Sequence, residues 1–102
     1  MEVGFVDRQA QALNESGVVV RGVHGAVGAR LKALRKAMST DNQGEWASRN
    51  GFERTQYNNW EKGVRRIPVD AAERLCEAYG ASLDWIYRGR SDGLPDNLRK
   101  RL

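Results

Sequence analysis

The stretch from residue 54 to residue 62 concentrates side chains that can recognise the edges of base pairs. With about 100° between successive helical residues, one helix face there would carry this polar set: Thr55, Asn58, Asn59 and Lys62, with Arg54 at its shoulder. An asparagine amide can pair bidentately with adenine, an arginine with guanine, and a threonine offers a hydroxyl or a methyl group. The pattern predicts contact with a DNA duplex, although most polar helix faces are only solvated.

The opposite face of the same stretch is aromatic. Tyr57 and Trp60 share that face and Phe52 comes just before it, so we predict a helix over about 53–61 that packs its aromatic side inward. Gly63 is expected to end it. Base stacking on these rings, as in single-strand binders, is the alternative, but the helical spacing favours core packing.

A second helix, over about 42–49, is predicted immediately upstream. Thr40 and Gln43 fit a capping box at its start, and Gly51 suits the left-handed position that closes a helix. Ala47 is small enough to let two helices cross closely. Two short helices joined by a tight glycine turn form a helix-turn-helix.

Groups suited to phosphate flank the outward face on both sides. The start of the second helix, at Asn42 and Gln43, presents free N–H groups and a partial positive charge. Lys62, Arg65 and Arg66 follow the next helix, where a DNA backbone would pass. We expect these two groups to contact phosphates.

The net charge of +4 is unevenly distributed along the 102 residues. Residues 27–66 carry nine basic and four acidic side chains, a net charge of +5, against −1 for residues 1–26 and 0 for residues 67–102. A concentrated positive field favours a polyanionic partner. A solvated surface explains the charge equally well when it is considered alone.

Three further helices are predicted around the central pair. One apolar stripe at helical spacing predicts a helix over about 27–37: Val27, Leu31, Leu34 and Met38. Two more are predicted over about 69–79 and 83–88, ended by Gly80 and Gly89. Five helices and no convincing strand indicate an all-α domain.

Three signatures follow one another in the predicted domain: Gln43-x-x-Trp46-Ala47-x-x-x-Gly51, Trp60-Glu61-Lys62-Gly63 and Ser82-Leu83-Asp84-Trp85-Ile86. From Gly28 to Gly89 the chain resembles the helix-turn-helix domain of phage lambda-type repressor and Cro proteins, the XRE-like class. The resemblance implies a five-helix lambda-repressor-like DNA-binding domain whose third helix enters the major groove. It also implies a bacterial or phage-encoded transcriptional regulator, with repression the expected effect, which binds a double-stranded DNA operator as a homodimer in the cytoplasm, in association with the nucleoid.

The resemblance implies roles for individual positions of this chain. It implies base reading by one set of residues: Arg54, Thr55 and Asn59, with Asn58 beside them. It implies phosphate contacts by a second set: Gln43, Lys62, Arg65 and Arg66. It also implies a structural ion pair between Arg35 and Glu61, which joins the first helix to the end of the third.

Three features depart from the family's pattern. Arg35 and Gln43 are eight residues apart, one more than usual, so the turn between the first two helices is expected to be enlarged. Glu53 replaces the usual Ser or Thr cap before the third helix; it can accept from a cytosine amino group or simply cap the helix. Asn50 stands where the family prefers an apolar residue, which bears on stability.

The length is that of one domain. We divide the chain into a flexible or partner-dependent arm at 1–26, the helix-turn-helix domain at 27–90, and a basic C-terminal tail with a last short turn at 91–102. The arm is the segment that we expect to contact any protein partner.

With one cysteine, Cys76, and one histidine, His24, we expect no disulfide, no metal site and no cofactor. We find no nucleophile–base or paired-carboxylate arrangement and expect no enzyme, and no stretch is long enough to span a membrane. Besides a DNA-binding regulator, two alternatives stay open. One is a protein-interaction adaptor on the same fold; the other is the antitoxin of a toxin–antitoxin pair, with residues 1–26 serving the partner.

Overall fold

A computed structural model describes residues 23–102, which contain these helices: α1 (Gly25–Met38), α2 (Gln43–Arg49), α3 (Arg54–Lys62), α4 (Val69–Tyr79), α5 (Leu83–Arg88) and α6 (Asp96–Arg101). No strand occurs in that span, so the predicted all-α class is confirmed. The bounds of α4 and α5 are those predicted, while α1 begins two residues earlier and α3 is displaced by one residue. Most of the predicted arm lies outside the described residues.

The start of α2 is capped by Asn42, so the capping box predicted to begin at Thr40 is wrong. The Asn42 Oδ1 accepts from the Glu45 N–H at 2.9 Å, and Glu45 Oε1 accepts from the Asn42 N–H at 2.9 Å. Asp41 stays in the enlarged turn because its N–H donates to the Ser39 Oγ at 2.7 Å. The helix therefore begins two positions later than the Thr40 cap required.

The core is built around the crossing of α1 and α3. A Cβ at Gly28 would lie 2.3 Å from the carbonyl oxygen of Glu61, so only a residue without a side chain lets these two backbones meet. Leu31 and Leu34 of α1 and Tyr57 of α3 are fully buried in this core. The crossing fixes the inner side of α3 against the longest helix of the domain.

The buried aromatic rings form two groups, one between α2 and α4 and one between α3 and the turn before it. Trp46 stacks on Tyr79 with ring centroids 4.7 Å apart. Phe52 contacts both Trp60, edge-on at 5.3 Å, and Tyr57, stacked at 6.0 Å. The rings pack into the interior, as their helical spacing predicts.

Asn50, where the family prefers an apolar residue, has both ends of its amide bonded. Its Nδ2 donates to the Trp46 carbonyl at 2.9 Å, and its Oδ1 accepts from the Tyr79 hydroxyl at 2.8 Å. A partly buried amide left unbonded would be destabilising. Here the polar side chain instead links the end of α2 to α4.

The last twelve residues, predicted as a basic tail with a short turn, form α6 and pack on the domain. Leu94 and Leu98 are 4% and 3% exposed and belong to the same apolar core as α1 and α5. Arg101 Nη1 donates to the Ala37 carbonyl at 3.4 Å. The domain therefore has a sixth helix, which is anchored to the core by Leu98 within it and by Leu94 just before it. The predicted division of the chain at residue 90 stays a prediction.

Candidate nucleic-acid interface

The outer face of α3 lies at the surface of the domain. Arg54 and Thr55 are exposed, and Asn58 and Asn59 are half-buried. The inner face is buried, with Tyr57 fully enclosed. The helix thus has the two-sided construction that the sequence predicted.

A polar cleft of about 230 Å³ lies between the first turn of α2 and the start of α3. Its lining is Gln43, Gly44, Arg54, Thr55 and Asn58. Four of these five residues are ones predicted to contact bases or phosphate. The fold therefore brings members of the two predicted sets to one concave surface.

The two asparagines of the outer face differ in whether their side-chain amides are free to pair with a base. Asn58 Oδ1 is buried and accepts no hydrogen bond within residues 23–102. A bidentate pair with adenine requires the amide both to accept and to donate, so the Asn58 side chain must turn outward first. Asn59 makes no side-chain hydrogen bond to any described residue, and its amide needs no release from a described partner.

Glu53 caps α3, which is one of the two roles that the sequence left open. Its carboxylate accepts from the Thr55 N–H at 3.2 Å and from the Gln56 N–H at 2.9 Å. These backbone N–H groups hold the pKa of Glu53 below its ordinary value. The cap places a negative charge at the edge of the outer face.

A buried polar network ties α1 and α2 to the end of α3. Arg35 donates to both oxygens of Glu61, from Nε at 2.8 Å and from Nη2 at 3.1 Å. Gln43 Nε2 donates to Glu61 Oε1 at 2.8 Å. The Arg35 and Glu61 side chains are 10% and 1% exposed. Burial alone would raise the pKa of Glu61, but the bonds from Arg35 and Gln43 lower it overall.

The same network orients the residue at the start of α2. Because Gln43 is tied to Glu61, its side chain sits at a set position beside α3. Arg35 also donates to the carbonyl of Asp41 at 2.9 Å, and the Asp41 carboxylate pairs with Arg49 at 2.6 Å. These contacts hold the turn between α1 and α2 next to the start of α2.

The last residue of α3 and the turn after it carry three of the predicted phosphate contacts, in two different settings. Lys62 and Arg65 are exposed and pair with no carboxylate among the described residues. The guanidinium of Arg66 lies 4.4 Å from the ring centre of Tyr87, and the Tyr87 hydroxyl donates to the Ile67 carbonyl at 2.6 Å. The Arg66 guanidinium therefore packs against Tyr87 of α5, whereas the side chains of Lys62 and Arg65 face solvent.

Gly44 is the member of the cleft that the sequence analysis missed. A Cβ at this position would lie 2.5–2.8 Å from three guanidinium atoms of Arg54. The signal was a glycine in the first turn of a seven-residue helix, since glycine is about 1 kcal/mol less favourable than alanine inside a helix. That signal does not say which side chain approaches.

Residues 23–102 contain neither a cluster suited to a metal ion nor a helix suited to a membrane. Between residues 23 and 102 no cluster of three or more His, Cys, Asp or Glu side chains is arranged to hold a metal ion. No helix in that part of the chain has the length and apolar character needed to cross a membrane.

Comparison with known proteins identifies the architecture. Residues 28–91 match a protein family described as a helix-turn-helix domain, in agreement with the resemblance to the XRE-like class. No curated protein matches the chain, and neither does any solved structure. Because the match covers more than half of the sequence, the chain belongs to the helix-turn-helix domain family.

Proposed function

We propose that this protein is a sequence-specific, double-stranded DNA-binding transcriptional regulator that acts as a repressor and reads the major groove with α3. The observation that carries the proposal is the two-sided construction of α3. Tyr57, Trp60 and Glu61 hold its inner face in the core, while Arg54 and Thr55 stand exposed on the other. Recognition helices of this motif enter the major groove, so the exposed face would meet base edges.

The base-reading set is Arg54, Thr55, Asn58 and Asn59. Arg54 can give guanine two donors, and Asn59 can pair with adenine through its amide. Asn58 joins after its amide rotates, because its Oδ1 is buried in the free protein. Each good bidentate pair provides roughly 1–3 kcal/mol of discrimination.

Phosphate contacts would fix the register of α3 on the duplex. Gln43 Nε2 has two hydrogens, so one can reach a phosphate while the other stays on Glu61. The Asn42 N–H and Oδ1 are used in the α2 cap, which leaves its Nδ2 as the phosphate donor. Across the groove the donors would be Lys62 and Arg65, with Arg66 beside them.

A homodimer is the form in which the proposed function is useful. One helix of this size reads only a few base pairs, so an operator needs two half-sites. In helix-turn-helix dimers the half-sites lie about 34 Å apart, one turn of DNA. We therefore propose a pseudo-palindromic operator and a two-fold symmetric complex.

The test is selection of binding sites from a random pool of duplexes at stated salt, followed by titration of the selected duplex and a scrambled control. We expect one enriched pseudo-palindrome, bound at least a thousandfold more tightly than the control. Affinity for both should fall with salt. No enrichment, with equal weak binding to all duplexes, would contradict sequence-specific regulation.

The same experiment separates the alternatives retained from the sequence. A chain that binds no duplex but copurifies with a protein partner would be an adaptor. A chain that binds an operator and also a small toxin would be an antitoxin. The masses of proteins copurified with the full chain distinguish these two outcomes.

A further inference from the structure

Gly44 leaves a space that the guanidinium of Arg54 fills. A Cβ built at Gly44 would lie 2.5 Å from Arg54 Nη2, 2.7 Å from Nε and 2.8 Å from Cζ. Real Cβ atoms do not come this close to other heavy atoms. Any other residue at position 44 would therefore displace the end of the Arg54 side chain.

The backbone does not require a glycine at position 44. Gly51 and Gly63 adopt φ +78°, a left-handed conformation that disfavours other residues. Gly44 has no positive φ and lies within α2, where glycine is a poor helix former. What distinguishes the position is the space that it leaves beside α3.

The Arg54 guanidinium occupies the space beside Gly44, and this position would limit the directions that the side chain can take. An exposed arginine loses rotamer entropy when it is fixed, so a preset direction favours binding. Arg54 makes no hydrogen bond or ion pair with any described residue. Its donors therefore remain available while the side chain lines the cleft with Thr55 and Asn58.

We infer that Gly44 is a positioning residue: by seating the Arg54 guanidinium on the first turn of α2, it sets which base Arg54 reads and how strictly. The inference rests on the proposed function, since it concerns base selection by α3. It adds a specificity determinant in the helix that precedes the recognition helix. Its effect passes through Arg54 alone.

The first experiment is a double-mutant cycle with Gly44→Ala, Arg54→Ala and the double variant, each tested on the selected operator and on operators changed one base pair at a time. Gly44→Ala should reduce discrimination about tenfold at the base pair that Arg54→Ala identifies, and leave the other positions unchanged. In a chain that already carries Arg54→Ala, the added Gly44→Ala substitution should not change discrimination at any base pair. An unchanged preference, or an equal loss without Arg54, would overturn the inference.

A fold control accompanies the cycle. Alanine is a better helix former than glycine, so the thermal midpoint of Gly44→Ala should stay the same or rise while discrimination falls. Ser48→Ala, at an exposed position of the same helix, should change neither property. A loss of discrimination that only tracks a lower midpoint would count against positioning.

The second experiment does not need DNA and separates failure of the inference from failure of the proposed function. Nuclear relaxation of arginine Nε–H groups in the free protein should show Arg54 more ordered than the exposed Arg65. Gly44→Ala should bring the Arg54 order parameter down to that of Arg65. If Arg54 and Arg65 were equally ordered in the wild-type chain, Gly44 would not position the Arg54 guanidinium, whether or not an operator exists.

Discussion

Arg35 and Arg65 carry the same charge, and the fold uses them differently. The Arg35 side chain is 10% exposed, and two of its nitrogens donate hydrogen bonds to the Glu61 carboxylate. Arg65 follows the left-handed turn at Gly63, and its side chain is exposed. Its backbone N–H donates to the Asn59 carbonyl at 3.3 Å. One guanidinium holds helices together and the other faces solvent.

Two other arginines donate to backbone carbonyls within the domain. Arg30 Nη1 donates to the Ile86 carbonyl at 2.8 Å near the end of α5. Arg74 lies 5.1 Å from the ring centre of Phe52 and donates to the carbonyl of Asn50 at 3.3 Å. A count of cations along the sequence therefore overstates how many side-chain donors are unoccupied and available to a polyanion. The comparison predicts that internal cations determine stability and outward cations determine binding.

The largest expected effect comes from breaking the internal pair. Glu61→Ala leaves Arg35 buried without its counter-charge, which should lower the free energy of unfolding by about 3–5 kcal/mol. Urea denaturation measures it. Asp96→Ala, which removes the exposed pair with Arg99, should leave the midpoint nearly unchanged; equal losses in the two variants would mean that burial of the pair does not matter.

Removing the apolar anchor of α6 comes next. Leu98→Ala should reduce the free energy of unfolding by about 2–5 kcal/mol, because the leucine is 3% exposed and leaves a cavity. Lys100→Ala on the exposed side of α6 is the matched control, and denaturation again gives the measurement. A Leu98→Ala chain as stable as wild type would show that α6 adds nothing to the core.

On the outward side, Asn59→Ala should remove about 1–3 kcal/mol of discrimination at one base pair. Binding to scrambled duplex should be nearly unchanged, because phosphate contacts dominate it. Competition titrations with cognate and scrambled DNA measure both quantities. Equal weakening on the two duplexes would remove Asn59 from the base-reading set.

Arg65→Ala should weaken binding to every duplex alike and reduce the slope of log affinity against log salt by about 1. Arg30→Ala should lower stability and leave that slope unchanged, since its guanidinium is bonded to the end of α5. DNA titrations across a salt series measure this slope for both variants. If the slope of log affinity against log salt changed in Arg30→Ala and not in Arg65→Ala, the roles assigned to internal and outward arginines would be wrong.

The smallest effect is in the pH dependence of the internal pair. The folded pKa of Glu61 lies below its ordinary value of 4.5, so its stabilisation is present above about pH 4.5 and is lost as the pH falls through the folded value. The stability difference between wild type and Glu61→Gln should therefore shrink in acid. Urea midpoints measured from pH 7 to pH 3 test this, and a constant difference would contradict it.

Local patterns were sufficient for much of the fold. The spacing of apolar residues and the closing glycines predicted α4 and α5 with their observed bounds, because these signals act over only a few positions. The aromatic and polar faces of α3 were also predicted, since helical geometry alone assigns opposite faces to Tyr57 and Thr55. The family resemblance rested on motifs of the same local kind.

The remaining features depend on residues that are distant in sequence. Arg66 packs on the ring of Tyr87, Leu98 of α6 packs into the core, and Arg54 fills the space at Gly44. Composition and spacing do not reveal which exposed-looking side chains become bonded, because that depends on where two backbones come to lie. In this protein the sequence alone determined the elements and their faces, and tertiary packing decided which polar groups stay available to a partner.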